Sequence, residues 1–448
     1  MKSDLLQGNI RSQLITLALP LLLGNILQQF YNTADALIIG SFLGTNAFAA
    51  VGVAGSVMNL FIFMLNGFCI GVSILFGQLY GHGDQDAFRR EMFVSLTLGC
   101  GITLLLSALF ILLLRPILYL IQTPAELMGD ASAYLVIIIA GMITTYFYNL
   151  FSNVLRAVGN TKASLYFLCI SVVLNCLLDY LFVAVLPMGI AGAALATVLA
   201  QLVSAVCCLL YIRHGFRFML CTARDAGWHR TLIRRTLSFG VASALHQSSL
   251  YIGKLLVQGA VNTLGTAGIA AYTATSRIEG VANSFGSSAG QAMSVFLSQN
   301  YSAGQSERIR SGFRTGFLLN VLMGLALSAI MFLTADPCMR IFLDAADDVS
   351  FRYGVEYLRL VSLVYVLCFT GNSFVGFFRG VGKVEAPIIG TTLQIAIRAV
   401  LSYLLVGRMG LSAVALATGI GWIFSNSYQV LTWHALQKKI CPAPSKTT

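Results

Sequence analysis

The chain has 448 residues, 57% of them hydrophobic and only 10% charged, with a mean hydropathy of +0.81. Soluble domains are about 25% charged, so this balance excludes a large soluble domain and indicates a polytopic membrane protein. The net charge of +11 would suggest nucleic acid in a soluble chain; in a membrane protein, Lys and Arg collected on cytoplasmic loops account for it, and no nucleic-acid partner is expected.

Twelve apolar segments follow one another, near 14–39, 47–79, 89–114, 132–156, 163–186, 190–212, 232–261, 267–301, 310–334, 354–378, 386–406 and 410–436. Each can cross a bilayer at ~20 residues per helix. The expected fold is all-α, with twelve transmembrane helices. With the N-terminus placed inside, 20 Lys and Arg fall on inner loops and four on outer ones, Arg115, Arg340, Arg352 and Arg408. That bias puts both termini in the cytoplasm. The ten Cys show no paired spacing of the CxxC kind, so neither a zinc site nor a disulfide framework is expected.

The two halves repeat each other. QLYGHGDQD from Gln78 is echoed by QNYSAGQSE from Gln299, NVLRAVGNTK from Asn153 by GFFRGVGKVE from Gly376, and GIAGAALAT from Gly189 by GLSAVALAT from Gly410. The three offsets are 221, 223 and 221 residues. Matches in order at nearly one offset predict two pseudo-symmetric six-helix bundles, 1–212 and 232–448. A basic cytoplasmic linker, 213–231, joins them. Parallel repeats of this kind suit alternating access, with substrate between the halves.

The first segment, LITLALPLLLGNILQQFYNTADALIIG, carries Asp35 among apolar residues. A carboxylate near a helix centre costs roughly 2.5–3.5 kcal/mol on insertion scales, so its presence implies work to do. Asp179 and Glu279 are the other two acids placed within spans; the remaining acids are read as lying in loops or near helix ends. Asn175 and Asp179, four residues apart, share a helical face. At 1.5 Å per residue, Asp179 lies ~12 Å inside the outer end of its helix, Thr197 lies level with it, and Asp35 is ~8 Å deep. Two carboxylates, an amide and a hydroxyl at one depth suit Na⁺ or a shared proton. The alternative for each polar residue taken singly is a hydrogen bond to a neighbouring helix.

The second half does not repeat this set: Arg398 stands opposite Asn175 and Ser402 opposite Asp179. Glu279 is read either as a structural ion pair with Arg398 or as part of a substrate cavity. His246 and Gln247 are read as helix contacts, Gln247 with the option of lining that cavity. Aromatic and Met side chains, Met64 and Phe285 among them, mostly face lipid or packing neighbours. A minority are candidates for an adaptable apolar cavity that takes flat organic cations.

With these motifs in place the whole chain resembles the multidrug and toxic compound extrusion (MATE) family, in its prokaryotic DinF-like branch. The matching stretches are the first segment, GQLYGHGD, LRAVGNTKASLYF, VLNCLLDYLF and GIAGAALATVLAQ. The resemblance implies Asp35, Asn175, Asp179 and Thr197 as ligands of a proton or Na⁺, surrounded by Gln28, Tyr31, Tyr134 and Asn149, with Pro20 as the bending proline of the first helix. Another branch has acids on segments seven and ten; here those segments carry His246-Gln247 and no acid, so a second-bundle cation site of that kind is not implied.

The resulting expectation is a monomeric secondary antiporter of the cytoplasmic membrane, in contact with its lipids. It would export amphipathic, often cationic compounds against inward H⁺ or Na⁺, without a cofactor. The rivals are an exporter of lipid-linked saccharides, which needs basic residues in its cavity, and a membrane-embedded enzyme, for which no HExxH or GxSxG set is present.

Overall fold

The computed structural model describes residues 5–343 and 348–440, without side chains at 32–34, 36, 223, 348 and 438–440. Lys2 and Lys446, and the side chains of Lys438 and Lys439, which enter the charge asymmetry, lie outside the described residues.

Among the described residues the chain is helical throughout, with no strand. The helices are α1 (Ile10–His82), α2 (Gln85–Leu112), α3 (Leu114–Leu120), α4 (Ala125–Ala140), α5 (Met142–Ala157), α6 (Thr161–Asp179) and α7 (Gly189–Gly215), then α8 (Arg230–Asn262), α9 (Gly265–Ser302), α10 (Ser306–Leu333), α11 (Ala335–Arg340), α12 (Asp348–Val364), α13 (Val366–Gly380), α14 (Glu385–Met409) and α15 (Ser412–Ile440). α1 covers the first two apolar segments. It passes through Pro20 as a helix and breaks at Gly44, whose φ of 83° and ψ of −176° suit only a residue without Cβ. The α4–α5 pair bends by 47° at Gly141 and the α12–α13 pair by 50° at Tyr365, corresponding places in the two halves.

Seven of the described helical stretches are long and apolar enough to cross a membrane, nine when each bent pair counts as one span. The remaining long helices, α8, α9 and α15, are more polar, and they coincide with the seventh, eighth and twelfth apolar segments.

The chain forms two compact units. The first is Leu23–Ala244; the second combines the described part of Asp4–Leu22 with that of Leu245–Thr448. In the first unit the core is aromatic: Phe61, Phe76, Phe88 and Tyr146 are fully buried. Tyr146 donates to the carbonyl of Ser95 at 2.6 Å. Its hydroxyl occupies the space beside Gly99, where a Cβ would lie only 1.8 Å away.

Glu91 corrects the sequence reading, which placed acids other than Asp35, Asp179 and Glu279 in loops or near helix ends. It is 1% exposed on α2. Its Oε1 accepts from Ser95 at 3.1 Å and from Thr236 of α8 at 2.8 Å. A partner 145 residues away leaves no local trace in sequence.

The basic connection after α7 is docked, whereas the sequence suggested a solvated linker. Met219 is fully buried, and Phe218 stacks on Tyr80 with ring centroids 6.0 Å apart. Asp225 accepts from the backbone N and hydroxyl of Thr222 at 2.8 and 2.7 Å and from Arg89 at 3.4 Å. The Thr222 bonds, aided by Arg89, hold its carboxyl below the usual carboxylate range.

In the second unit Arg308 gathers the start of the chain. It donates to the carbonyls of Leu5 and Gly8 at 3.0 and 3.1 Å, to Gln13 at 2.9 Å and to Asn300 at 3.1 Å. Asn320 of α10 donates to the Phe369 carbonyl and Ser373 of α13 at 3.0 and 2.9 Å. Arg379, expected to snorkel or cap carbonyls, is instead buried and donates to His246 Nδ1 at 2.9 Å. The other ring nitrogen of His246 bonds to Thr391 at 2.9 Å. His246 is thus a helix contact joining α8, α13 and α14.

Both units use glycine for close helix approach. Gly67 and Gly71 lie one turn apart on α1 against α8. A Cβ on Gly71 would stand 2.1 Å from the Phe239 carbonyl oxygen, and one on Gly67 would stand 2.6 Å from the Ala244 Cα. In the second unit a Cβ on Gly290 would stand 2.6 Å from the Asn372 carbonyl oxygen. Small residues at this spacing replace side-chain packing by backbone contact. Gly71→Ala should therefore destabilise the protein by about 1–3 kcal/mol, the usual cost of overpacking. Thermal unfolding in detergent should show a lower midpoint. Gly101→Ala, where nothing lies within 4 Å, should show none.

Candidate functional site

Four helices of the first unit converge on one polar cluster: α1 with Tyr31 and Asp35, α4 with Tyr134, α6 with Asn175 and Asp179, and α7 with Thr197. Local sequence explains the convergence. α6 ends at Asp179 and continues as a π-helical turn, Tyr180–Val185, the wider geometry that often marks a functional position. The α7 face opposite it is built of small residues, Gly192, Ala193, Ala194 and Ala196, all buried. A Cβ on Gly192 would lie 3.0 Å from the Phe182 Cβ, so α7 lies close enough to α6 for Thr197 to reach Asn175.

Asn175 is the bridge. With its amide turned to satisfy both neighbours, Nδ2 donates to Asp179 Oδ2 at 2.9 Å and Oδ1 accepts from the backbone N of Thr197 at 3.2 Å. The Thr197 hydroxyl donates to the Ala193 carbonyl at 3.2 Å. The Tyr31 hydroxyl lies within bonding reach of Thr197, and Tyr134 stands beside both acids. The carboxyl groups of Asp35 and Asp179 face each other within hydrogen-bonding reach.

Asp179 is 0% exposed, Asn175 2% and Tyr134 2%, while Asp35 is half-buried. Oδ1 of each Asp has no partner, and among the described residues neither acid forms an ion pair with Lys or Arg. Two facing carboxyls out of water require a shared proton or a cation between them. The donor set fits both: all oxygen ligands, two carboxyls, an amide and a hydroxyl, as hard cations prefer.

The remaining sequence candidates fall outside the cluster. Asn149 donates to the Thr145 carbonyl at 2.9 Å, along its own helix. Gln28 is exposed. Pro20 lies in the part of α1 that belongs to the second unit. Met64 packs, half-buried, against the first unit's core; Phe285 does so in the second unit, where Gln247 is half-buried beside His246. Glu279 and Arg398 make no direct ion pair among the described residues; both lie beside the Tyr357 hydroxyl. Tyr357 and Tyr272, which bonds Arg398 at 3.3 Å, were missed in the sequence. The repeat offset would have found Tyr357, which stands 223 residues after Tyr134.

Comparison with known proteins agrees with this architecture. The MatE family profile matches twice, over residues 20–181 and 242–404, the repeat seen in the sequence. The chain is 26% identical over 442 residues to the "Probable multidrug resistance protein YpnP" of Bacillus subtilis (strain 168), covering 97% of this chain and 98% of that one. Two solved structures superpose with a TM-score of 0.91 at 22% identity, each covering 99% of both chains. One is a MOP superfamily transporter from Pyrococcus furiosus, described as having a binding pocket of reverse polarity that suggests a different function. The other is the outward-facing conformation of a multidrug resistance MATE family transporter. The chain belongs to the MatE family of multidrug and toxic compound extrusion transporters, and it is a polytopic membrane transporter, not an enzyme.

Proposed function

We propose that this protein is a secondary active antiporter of the cytoplasmic membrane. It exports amphipathic, often cationic organic compounds in exchange for inward H⁺ or Na⁺. The observation that carries this reading is the facing pair Asp35 and Asp179, bridged through Asn175 to Thr197 in an otherwise apolar bundle. The name of the Bacillus relative, a probable multidrug resistance protein, points the same way.

Coupling follows from charge. An ion-loaded pair is neutralised and tolerates a water-poor setting. An empty, ionised pair does not, and favours a conformation that admits water or a cationic substrate. Ion and substrate then bias one equilibrium in opposite directions, and each transports only by its differential affinity for the two states.

Asp35→Asn and Asp179→Asn should abolish ion-driven efflux while the protein inserts normally. Asn keeps the size but neither takes up a proton nor neutralises Na⁺. Removing a buried charge should even ease insertion. Asn175→Ala removes one neutral donor to Asp179 and should raise the half-saturating ion concentration by roughly tenfold, in line with 1.5–3 kcal/mol for a hydrogen bond to a charged group. Ethidium efflux from everted vesicles, normalised to protein amount, measures all three, and selective collapse by a protonophore or by Na⁺ removal identifies the ion. Wild-type-like efflux in both Asp variants would sink the reading.

With both termini inside, the turn between α8 and α9 at 262–266 faces the cell exterior. A single Cys placed there in a Cys-free background should react with an impermeant maleimide added to intact cells. Reaction only after lysis would reverse the topology.

A further inference from the structure

The second unit carries, at the positions that repeat the cation cluster, a cluster of opposite charge. Tyr357, Arg398 and Ser402 stand 223 residues after Tyr134, Asn175 and Asp179. The bridging amide of the first unit is thus a guanidinium here, and the acid one turn further on is a hydroxyl. Lys254 on α8 and Glu279 on α9 complete the group, both within electrostatic reach of Arg398.

The cluster is left unsatisfied by its own members. Arg398 Nε, the Tyr357 hydroxyl, the Ser402 hydroxyl and Glu279 Oε1 all lack a hydrogen-bond partner among the described residues. Tyr357 and Ser402 are 0% exposed, and buried polar groups left unpaired are costly. Three of the four orphans can donate. Arg398 commits only Nη2, to Tyr272 at 3.3 Å, so its Nε edge is available as a fork. Lys254 is exposed and Arg398 half-buried, so the group is reachable from solvent.

We propose that Arg398, Tyr357 and Lys254 form a binding site for the carboxylate of an amphipathic organic anion. The fork edge of an arginine matches a planar carboxylate. Two cations against one acid leave a surplus of about one positive charge, which one carboxylate neutralises and a dianionic phosphate exceeds, with Glu279 opposing it. The walls suit an aromatic body: Tyr272 and Tyr357 pack edge to face at 6.0 Å, and Phe285 and Trp422 pack against the same core. The ligand would therefore be opposite in charge to the compounds proposed above. The inference rests on the reading as an exporter of amphipathic molecules, but its test uses binding alone, so each can fail without the other.

The test is calorimetric titration of the purified full chain in detergent at neutral pH with 2-naphthoate, against the uncharged 2-naphthamide. Wild type should prefer the acid by about tenfold, the scale of one charge-assisted contact. Arg398→Gln should erase the preference, Lys254→Gln should reduce it, and Glu279→Gln should increase it. Equal binding of acid and amide by wild type would overturn the proposal, as would an undiminished preference in Arg398→Gln. If Arg398→Gln is not monodisperse, the other two variants decide: opposite shifts support the site, while shifts of the same sign, or none, overturn it.

Discussion

Two carboxyl groups facing each other away from water are the constraint on which the first unit depends. Asp35 and Asp179 have no basic partner among the described residues, so their charge must be balanced by something that comes and goes. The surrounding architecture serves that juxtaposition. The π-helical turn after Asp179, the small-residue face of α7 and the Asn175 bridge hold the α6 acid against the α1 acid. A cluster satisfied by fixed salt bridges would be stable and inert. One that needs an exchangeable ion links conformation to the ion gradient.

The second unit reuses the frame and inverts the charge. Its bend at Tyr365 repeats the bend at Gly141, and its glycine contacts at Gly290 repeat those at Gly67. Yet Arg398 stands where Asn175 would, so the positive charge is built into the chain. Duplication thus preserved packing, which depends on volume and helix approach, while the polar residues diverged. That is the expected order: backbone contacts tolerate little change, whereas a cavity-facing side chain is free to acquire a new role.

Much of this was legible in the sequence, and for physical reasons. Helical periodicity puts Asn175 and Asp179 on one face, rise per residue places Asp35 and Thr197 level with them, and the repeat offset fixes the two halves. Tyr31 and Tyr134 came only from family resemblance, because a hydroxyl on an aromatic ring carries no periodic signal of its own. Contacts between distant helices stayed hidden. The Glu91–Thr236 bond spans 145 residues and His246–Arg379 spans 133, and neither follows from local pattern. The docking of the linker was masked by its basic surface, since Met219 and Phe218 are only two apolar anchors in a polar stretch. The expected Glu279–Arg398 ion pair failed because Tyr357, unnoticed in the sequence, stands beside both charges.

The account stands or falls on whether the facing acids hold an ion that substrate displaces. The direct measurement is the release of H⁺ or Na⁺ when ethidium is added to the purified, ion-loaded protein in weakly buffered detergent solution, read with a pH dye and a Na⁺-selective electrode. The account predicts release of about one ion per bound ethidium from wild type, as competition for a single site requires, and none from a variant carrying both Asp35→Asn and Asp179→Asn. Ethidium binding to wild type without ion release, or equal release from the double variant, would contradict it.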